Sequence, residues 1–325
     1  MRNSTPLRIV IGIAVIVLLL FAPRVLTIVQ IRMANEIAYF ALFAVSYNFL
    51  FGYAGLLSFG HASYFGLGAY TTALSLKHVA GMPLLASIAL GGLVGAAGGA
   101  IIGFFCVRRK GAYFALLTLA FNQFLWATAW KWHKVTGGED GIGKFVPKSP
   151  LNLGIATLDH NQVEGMYYLT LTVVLLCLAA GWYLTKTPFG NTIKAIKVNE
   201  ERADFLGYQV NRSKLLIFTI AAFFAAIAGS LFALFQDFVA TSSIDLGMST
   251  QVLFMAFLGG TGSFFGPILG AVIYVYFTDW VSSLTNRWEF ILGVLFILLV
   301  LYFHRGFIGL IPTKVKAIFV TQKGS

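Results

Sequence analysis

The residues best suited to chemistry lie in one stretch, residues 51–70, which contains five glycines, Ser58, Ser63 and His61. A glycine inside a helix costs roughly 1 kcal/mol relative to alanine, so the stretch is too glycine-rich for an uninterrupted helix. It is also too apolar for a water-exposed loop, and both flanking segments are apolar enough to lie in lipid. Non-helical backbone survives at membrane depth only where protein buries it or where it lines a wet cavity. The stretch is therefore the first candidate for a place where a solute contacts the protein.

The chemistry available in this stretch is hydrogen bonding. The serine hydroxyls and the free N–H groups at the start of the next helix are donors, and a helix N-terminus favours a carboxylate. His61 is the one histidine of five that the sequence places at membrane depth. Two interpretations of it stay open. It is either a neutral imidazole bonded to carbonyl groups that the break frees, or a side chain that contacts the solute or gates its path.

The sequence shows no arrangement typical of an enzyme or a metal site. It has no HExxH motif, and its apolar segments carry almost no charge, so a relay of intramembrane carboxylates and histidines is not supported. Cys106 and Cys177 lie in apolar segments and are predicted to be packing residues. We expect no cofactor, no metal and no catalytic residue in this chain.

Composition decides the class of protein. Hydrophobic residues make up 58% of the 325 residues and charged residues only 11%, against about 25% charged in an average soluble domain. The apolar segments have the length of helical spans and exceed the roughly ten-residue strands of a membrane barrel. The net charge of +11 does not indicate nucleic acid as a partner, because lysine and arginine lie mainly in short loops, as the positive-inside rule expects. The sequence thus predicts an all-α polytopic membrane protein.

Hydropathy predicts about 8–10 transmembrane helices in a single membrane domain, residues 1–325. The predicted spans are residues 7–22, 33–51, 58–76, 83–107, 111–130, 165–185, 214–235, 249–281 and 288–303. The basic segments 108–110 and 186–213 are predicted to be cytoplasmic. Alternation then places the N-terminus in the cytoplasm and the loop 131–164 outside.

A second glycine-rich break, residues 259–267, interrupts the predicted span 249–281. An unbroken span would place the basic C-terminal tail outside, which the positive-inside rule disfavours. We therefore expect the chain to turn back at this break, with short helices at about 249–258 and 266–281 and a cytoplasmic C-terminus. Two similarly directed broken helices are typical of a transporter built from repeats, although glycine-rich membrane segments also resemble each other by composition alone.

One polar segment, residues 188–207, is too hydrophilic to span the membrane. Residues 199–203 are predicted to form the middle of a short surface helix that ends at Gly207. Its apolar side is predicted to comprise Phe189, Ile193, Ile196, Ala203 and Leu206. The segment is either a docking helix for a cytoplasmic partner or a helix that lies in solvent or at the lipid interface.

Several blocks of sequence, in order, carry a resemblance that extends over about residues 35–310. They are Gly52-Tyr-Ala-Gly55, Ser58-Phe-Gly-His61, Gly66-Leu-Gly-Ala-Tyr70, Thr136-Gly-Gly-Glu-Asp-Gly141, Ala195-Ile-Lys-Val-Asn-Glu200, Leu206-Gly-Tyr208, Leu258-Gly-Gly-Thr-Gly262 and Gly266-Pro-Ile-Leu-Gly270. In these blocks the chain resembles the LivM-type permeases of ABC importers for branched-chain amino acids. The urea permeases of the same superfamily share several blocks, so a urea or short-amide permease is an alternative. A secondary transporter that works alone is a further one.

The resemblance implies partners and roles. Two cytoplasmic ATPase subunits, a second permease subunit that forms a heterodimer with this one, and a periplasmic or surface substrate-binding protein are the implied partners, in a bacterial inner membrane. The implied translocation path comprises Gly55, Ser58, His61, Gly260, Thr261 and Gly262. The implied ATPase-coupling residues are Asn191, Lys194, Lys197, Asn199, Glu200, Glu201, Arg202, Asp204 and Gly207. Loop 131–164 is implied to be part of the docking surface for the binding protein.

Overall fold

The structure is a computed structural model that describes residues 19, 21–79, 81–146 and 163–285, the backbone of 151–152 and 157–158, and a few separate positions from 287 to 297. The predicted first and last spans, 7–22 and 288–303, lie largely outside these residues.

Helices dominate the described residues. In chain order they are α1 (Ile28–Asn48), α2 (Ala62–His78), α3 (Leu84–Cys106), α4 (Gly111–Lys131), α5 (His133–Thr136), α6 (Val163–Lys186), α7 (Pro188–Val198), α8 (Glu200–Phe205), α9 (Val210–Gln236), α10 (Leu246–Gly259) and α11 (Gly266–Leu284). The strands have two residues each, and β1 (Ile142–Gly143) pairs antiparallel with β4 (Phe238–Val239), as β2 (Leu151–Asn152) does with β3 (Thr157–Leu158).

Six described helical segments are long and apolar enough to cross a membrane: Ile28–Ala54, Leu84–Cys106, Gly111–Lys131, Val163–Lys186, Val210–Gln236 and Gly266–Leu284. The predicted all-α polytopic membrane protein is therefore confirmed. Helix α10 is shorter, with 14 residues, and at 1.5 Å per residue it reaches about 21 Å, less than the roughly 30 Å of a bilayer core.

Small residues bring α3 and α9 into close contact. Glycines recur every fourth position along α3, and they face residues at the same spacing on α9, three of which are small. The pairs are Gly91 with Ser230, Gly95 with Ala226, Gly99 with Ala222 and Gly103 with Phe218. The two rows run in opposite sequence order, so the helices are antiparallel. Small residues at four-residue spacing let backbones approach and gain van der Waals contact in the absence of a hydrophobic drive between helices in lipid.

Helices α10 and α11 form a hairpin, as the second break predicts. A Cβ atom at Gly270 would collide with the carbonyl oxygen of Met255, and one at Gly259 with the carbonyl oxygen of Gly266. The two helices thus meet at backbone distance on both sides of the turn. The prediction that the chain reverses here is confirmed, and α11 extends to Leu284, three residues beyond the predicted end.

The α3–α9 contact generates a prediction for Gly95→Leu. A Cβ atom at this position would collide with that of Ala226 and would lie 3.2 Å from the carbonyl oxygen of Ala222, so the larger side chain must push the helices apart. Overpacking of this kind costs about 1–3 kcal/mol. We expect a lower melting temperature of the purified protein in detergent, measured by fluorescence.

Ala97→Leu is the matched control, because Ala97 lies on the same helix and is exposed. Equal melting temperatures for the two variants would contradict the proposed role of the glycine row.

Candidate functional site

The first break is a short irregular segment between α1 and α2. Helix α1 continues as a π-helical turn, Phe49–Ala54, and Gly55 then takes the left-handed conformation at φ 72°. The freed N–H groups find side-chain partners, since Phe59 donates to the Thr118 hydroxyl at 3.2 Å and Gly60 to the Ser58 hydroxyl at 3.3 Å. These bonds explain how non-helical backbone persists here.

The start of α2 offers fewer free donors than the sequence predicts. The backbone N–H of Ala62 donates to the Ser249 hydroxyl at 3.0 Å. The next two N–H groups, of Ser63 and Tyr64, bond to the carbonyl oxygens of Gly60 and His61. A carboxylate at this helix start would have to displace these partners.

His61 lies inside the packed core. It is fully buried, and its Nε2 lies 2.8 Å from the Ser46 hydroxyl. Its ring stacks on Phe43, with 5.4 Å between centroids, and contacts the edges of Tyr47 and Tyr64. Its Nδ1 has no partner among the described residues. These are the contacts of a packing residue. The carbonyl partners that the structural interpretation expects are not among them, because the ring bonds to the Ser46 hydroxyl instead.

The two breaks meet in space although they lie about 200 residues apart in the chain. The Asn48 side chain donates to the carbonyl oxygen of Ser263 at 3.0 Å. A Cβ atom at Gly52 would come within 2.7 Å of the carbonyl oxygen of Thr261. The last turn of α1 therefore packs against the α10–α11 turn.

The six candidate path residues divide into two groups. Ser58 and His61 are buried in the core, as is Gly260 at the end of α10. The others lie at or near the surface where the breaks meet: Gly55, Thr261 and Gly262.

The polar segment, residues 188–207, contains two helices and not one. Asn199 has extended backbone between α7 and α8, and its side chain accepts a hydrogen bond from the Arg202 N–H at 2.8 Å. The prediction that residues 199–203 form the middle of a helix is wrong, because Asn199 is the N-cap of the second helix. The predicted stop at Gly207 is confirmed, since Gly207 has φ 86° and follows Leu206, the C-cap of α8.

Two lysines of α7 attach this segment to the first break. The Lys197 ammonium donates to the carbonyl oxygen of Gly52 at 2.6 Å, and Gly55 faces the stem of the same lysine. The Lys194 ammonium lies 5.4 Å from the centre of the Tyr53 ring. A cation at a helix C-terminus is favoured by the unsatisfied carbonyl groups and the helix dipole. We name these contacts, Lys197–Gly52 and Lys194–Tyr53, the lysine clasp.

Glu200 forms ion pairs with two lysines of the chain. Its carboxylate lies 2.8 Å from Lys214 and 3.4 Å from Lys110. Burial raises the pKa of this carboxyl, but the hydrogen bond and charge of Lys214, followed by those of Lys110, outweigh it, and the pKa lies below its ordinary value. The ion pairs therefore hold at neutral pH and weaken as acid protonates the carboxylate. Lys214 is buried, and Glu200 supplies its counter-charge.

Sequence reasoning missed the apolar surface of this segment. Ile193, Ile196 and Ala203 are buried as predicted, but Leu206 is 71% exposed. Phe205 is 92% exposed and Val198 85% exposed. One signal in the sequence was available. This hydrophilic segment contains apolar residues at positions that do not share the helical period of the buried ones. We name Val198, Phe205 and Leu206 the apolar patch of the segment.

Part of the loop 131–164 is folded onto the far end of α9. The Asp237 carboxylate accepts hydrogen bonds from the N–H groups of Phe145 and Val146, both at 3.0 Å. Strand β1 pairs with β4 directly beside it. These bonds give the described part of this loop a defined position against the membrane helices.

The packing of His61 generates a prediction for His61→Ala. Removal of a buried ring costs about 3–5 kcal/mol, so we expect a lower melting temperature and a lower yield, with transport reduced in proportion to the yield. His78→Ala on the same helix is the control, because His78 is exposed. Normal stability with abolished transport would instead assign His61 to the solute path.

Comparison with known proteins identifies the family of the chain. The model of the family described as the permease component of branched-chain amino acid transport systems matches residues 30–301. The high-affinity branched-chain amino acid transport system permease protein LivM of Salmonella typhimurium is 30% identical over 314 residues, which cover 91% of this chain and 73% of that protein. LivM of Escherichia coli K12 is 29% identical over 96% of this chain and 77% of its own length.

A further relative is a permease of a different import system. The autoinducer 2 import system permease protein LsrC of Klebsiella pneumoniae is 34% identical over 134 residues, 40% of this chain and 38% of that protein. No solved structure matches the chain. The family match over most of the chain and the polytopic helical fold agree, and the chain belongs to the family of LivM-type permease components of branched-chain amino acid transport systems.

Proposed function

We propose that the chain is a transmembrane permease subunit of an ABC importer for branched-chain or related hydrophobic amino acids. The observation that carries the proposal is the lysine clasp, which joins the cytoplasmic segment to the place where both breaks meet. A movement of the segment is thereby transmitted to the candidate solute path. Membership in the permease family supports the transport class.

The proposed setting is a bacterial inner membrane with both termini in the cytoplasm. The single membrane domain, residues 1–325, presents segment 186–213 to the cytoplasm and loop 131–164 to the outside. ATP is hydrolysed by two separate cytoplasmic subunits, a second permease subunit forms a heterodimer with this one, and a substrate-binding protein delivers the solute from outside.

The proposed mechanism is alternating access. Closure of the ATPase subunits moves residues 191–207 and, through the lysine clasp, pulls on the last turn of α1. That turn packs against the α10–α11 turn, so both breaks move together. The path then opens to one side of the membrane at a time.

The apolar patch supports a protein partner for the cytoplasmic segment. Three large side chains with 71–92% exposure stand next to the charged, exposed Glu201, Arg202 and Asp204. Apolar surface of this kind, with a polar rim, is typical of interaction sites. We infer that the ATPase contact is centred on the patch, with the polar coupling residues around it.

Uptake into proteoliposomes tests the proposed function. We expect the complete importer to accumulate labelled leucine only with ATP inside and with the loaded binding protein outside, and excess urea not to compete. Competition by urea without competition by isoleucine would favour the short-amide permease. Leucine transport at importer-like rates by the purified chain alone would identify a secondary transporter and refute the proposal.

The apolar patch generates a prediction for Phe205→Ser. Burying a phenylalanine at a contact contributes about 1.5–3 kcal/mol, so we expect the affinity of the ATPase subunits to fall about tenfold or more. The measurement is titration of the ATPase subunits onto the immobilised permease. Tyr113→Ser is the control, because Tyr113 is 76% exposed at the start of α4, outside the segment. Unchanged affinity for Phe205→Ser would exclude the patch as the contact.

A further inference from the structure

A polar cavity of about 250 Å³ lies between α1, α10 and α11, away from the two breaks. At about 30 Å³ per water molecule it has room for about eight waters, or for a small organic group. Its walls contain Glu36 and Phe40 of α1, Gln251 of α10, and Val275, Thr278 and Asp279 of α11.

The lining follows the helical period. Val275, Thr278 and Asp279 occupy positions i, i+3 and i+4 of α11, and Glu36 and Phe40 are four residues apart on α1, so each helix turns one face to the cavity. Glu36 is half-buried and Asp279 is exposed, and they stand on facing helices that are each long and apolar enough to cross a membrane. Ionisable groups at membrane depth are costly, and they mark sites of function more often than sites of packing.

The two carboxylates are uncompensated. Both line the cavity, they are close enough to interact electrostatically, and no basic residue is among the lining residues. Neither Glu36 nor Asp279 forms an ion pair with a lysine or arginine within the described part of the chain. A cation between the two side chains would relieve their mutual repulsion.

A hydroxyl in the same wall also lacks a partner. The Oγ1 atom of Thr278 is shielded from solvent and makes no hydrogen bond within the described part of the chain. A buried hydroxyl without a partner carries a desolvation cost of about 1–3 kcal/mol. The cavity therefore offers two anionic acceptors and one unused neutral acceptor, beside the apolar Phe40 and Val275.

We propose that this cavity binds the ammonium group of the solute as it enters from the outside. A primary ammonium has three N–H donors, which match the carboxylates of Glu36 and Asp279 and the hydroxyl of Thr278. Phe40 and Val275 accept the start of an aliphatic side chain. The proposal rests on the proposed amino acid import and on the proposed orientation, in which this end of α1 and α10 faces outside.

The experiment uses the complete importer in proteoliposomes with a fixed, saturating concentration of leucine-loaded binding protein. Two fragments of leucine are compared as inhibitors: 3-methylbutan-1-amine, which keeps the ammonium, and 4-methylpentanoate, which keeps the carboxylate. We expect the amine to inhibit leucine uptake and the acid not to inhibit. Equal inhibition by both fragments, or inhibition by the acid alone, would overturn the proposal, and this comparison requires no variant to fold.

Variants then locate the effect. In Glu36→Gln with Asp279→Asn we expect leucine uptake to fall about tenfold, the equivalent of one lost charge-assisted hydrogen bond, and inhibition by the amine to disappear. Glu36→Asp should keep inhibition by the amine. Asp245→Asn is the matched control, since it removes an exposed carboxylate at the start of α10 without touching the cavity, and an asparagine side chain can still cap the helix.

The outcomes separate the inference from the proposed function. If the unmodified importer takes up no amino acid, the proposed function fails and the inference falls with it. If it imports leucine and the double variant imports leucine equally fast with amine inhibition intact, the inference alone fails. If the double variant loses the second permease subunit on purification, the carboxylates serve subunit contact and the inference is wrong.

Discussion

A chain that interrupts a helix inside a membrane must find a partner for each backbone polar group that the interruption frees. The structure meets this constraint with side chains from distant parts of the sequence. Thr118 and Ser249 accept hydrogen bonds from the backbone around residues 59–62, and Lys197 donates to Gly52 at 2.6 Å. The break therefore depends on α4, α7 and α10 together, and its local sequence explains its position but not its stability.

The same bonds connect the break to other parts of the chain. A purely local loop would move independently of its surroundings, whereas this one is joined to the polar segment, residues 188–207, at one point and to the second break at another. Glu200, between Lys110 and Lys214, attaches the segment to α9 and to the turn before α4. The segment is thus connected to three separate regions of the membrane helices.

The sequence was sufficient for properties that follow from composition and local conformation. Apolar length predicts the membrane helices, glycine clusters predict both breaks, and the positive φ of Gly207 is the conformation its residue type allows most readily. The cap at Asn199 was also readable, because an asparagine before two glutamates is a helix start signal. The Glu200–Lys214 ion pair and the exposure of Phe205 could not be predicted from the sequence, since they depend on how α7 and α8 fold back on α9. The cavity between Glu36 and Asp279 likewise arises only when helices more than 200 residues apart in sequence pack together.

The glycine row of α3 also limits how the permease can move. Its contacts with α9 repeat every four residues, so a small slide of one helix along the other would carry the side chains of α9 onto the wider residues between the glycines. A slide that restores the fit must cover four residues, which is about 6 Å at 1.5 Å per residue. Packed interfaces of this kind are bistable and do not deform continuously. The spacing of these contacts thus favours α3 and α9 as a rigid pair about which the other elements of the proposed cycle rotate.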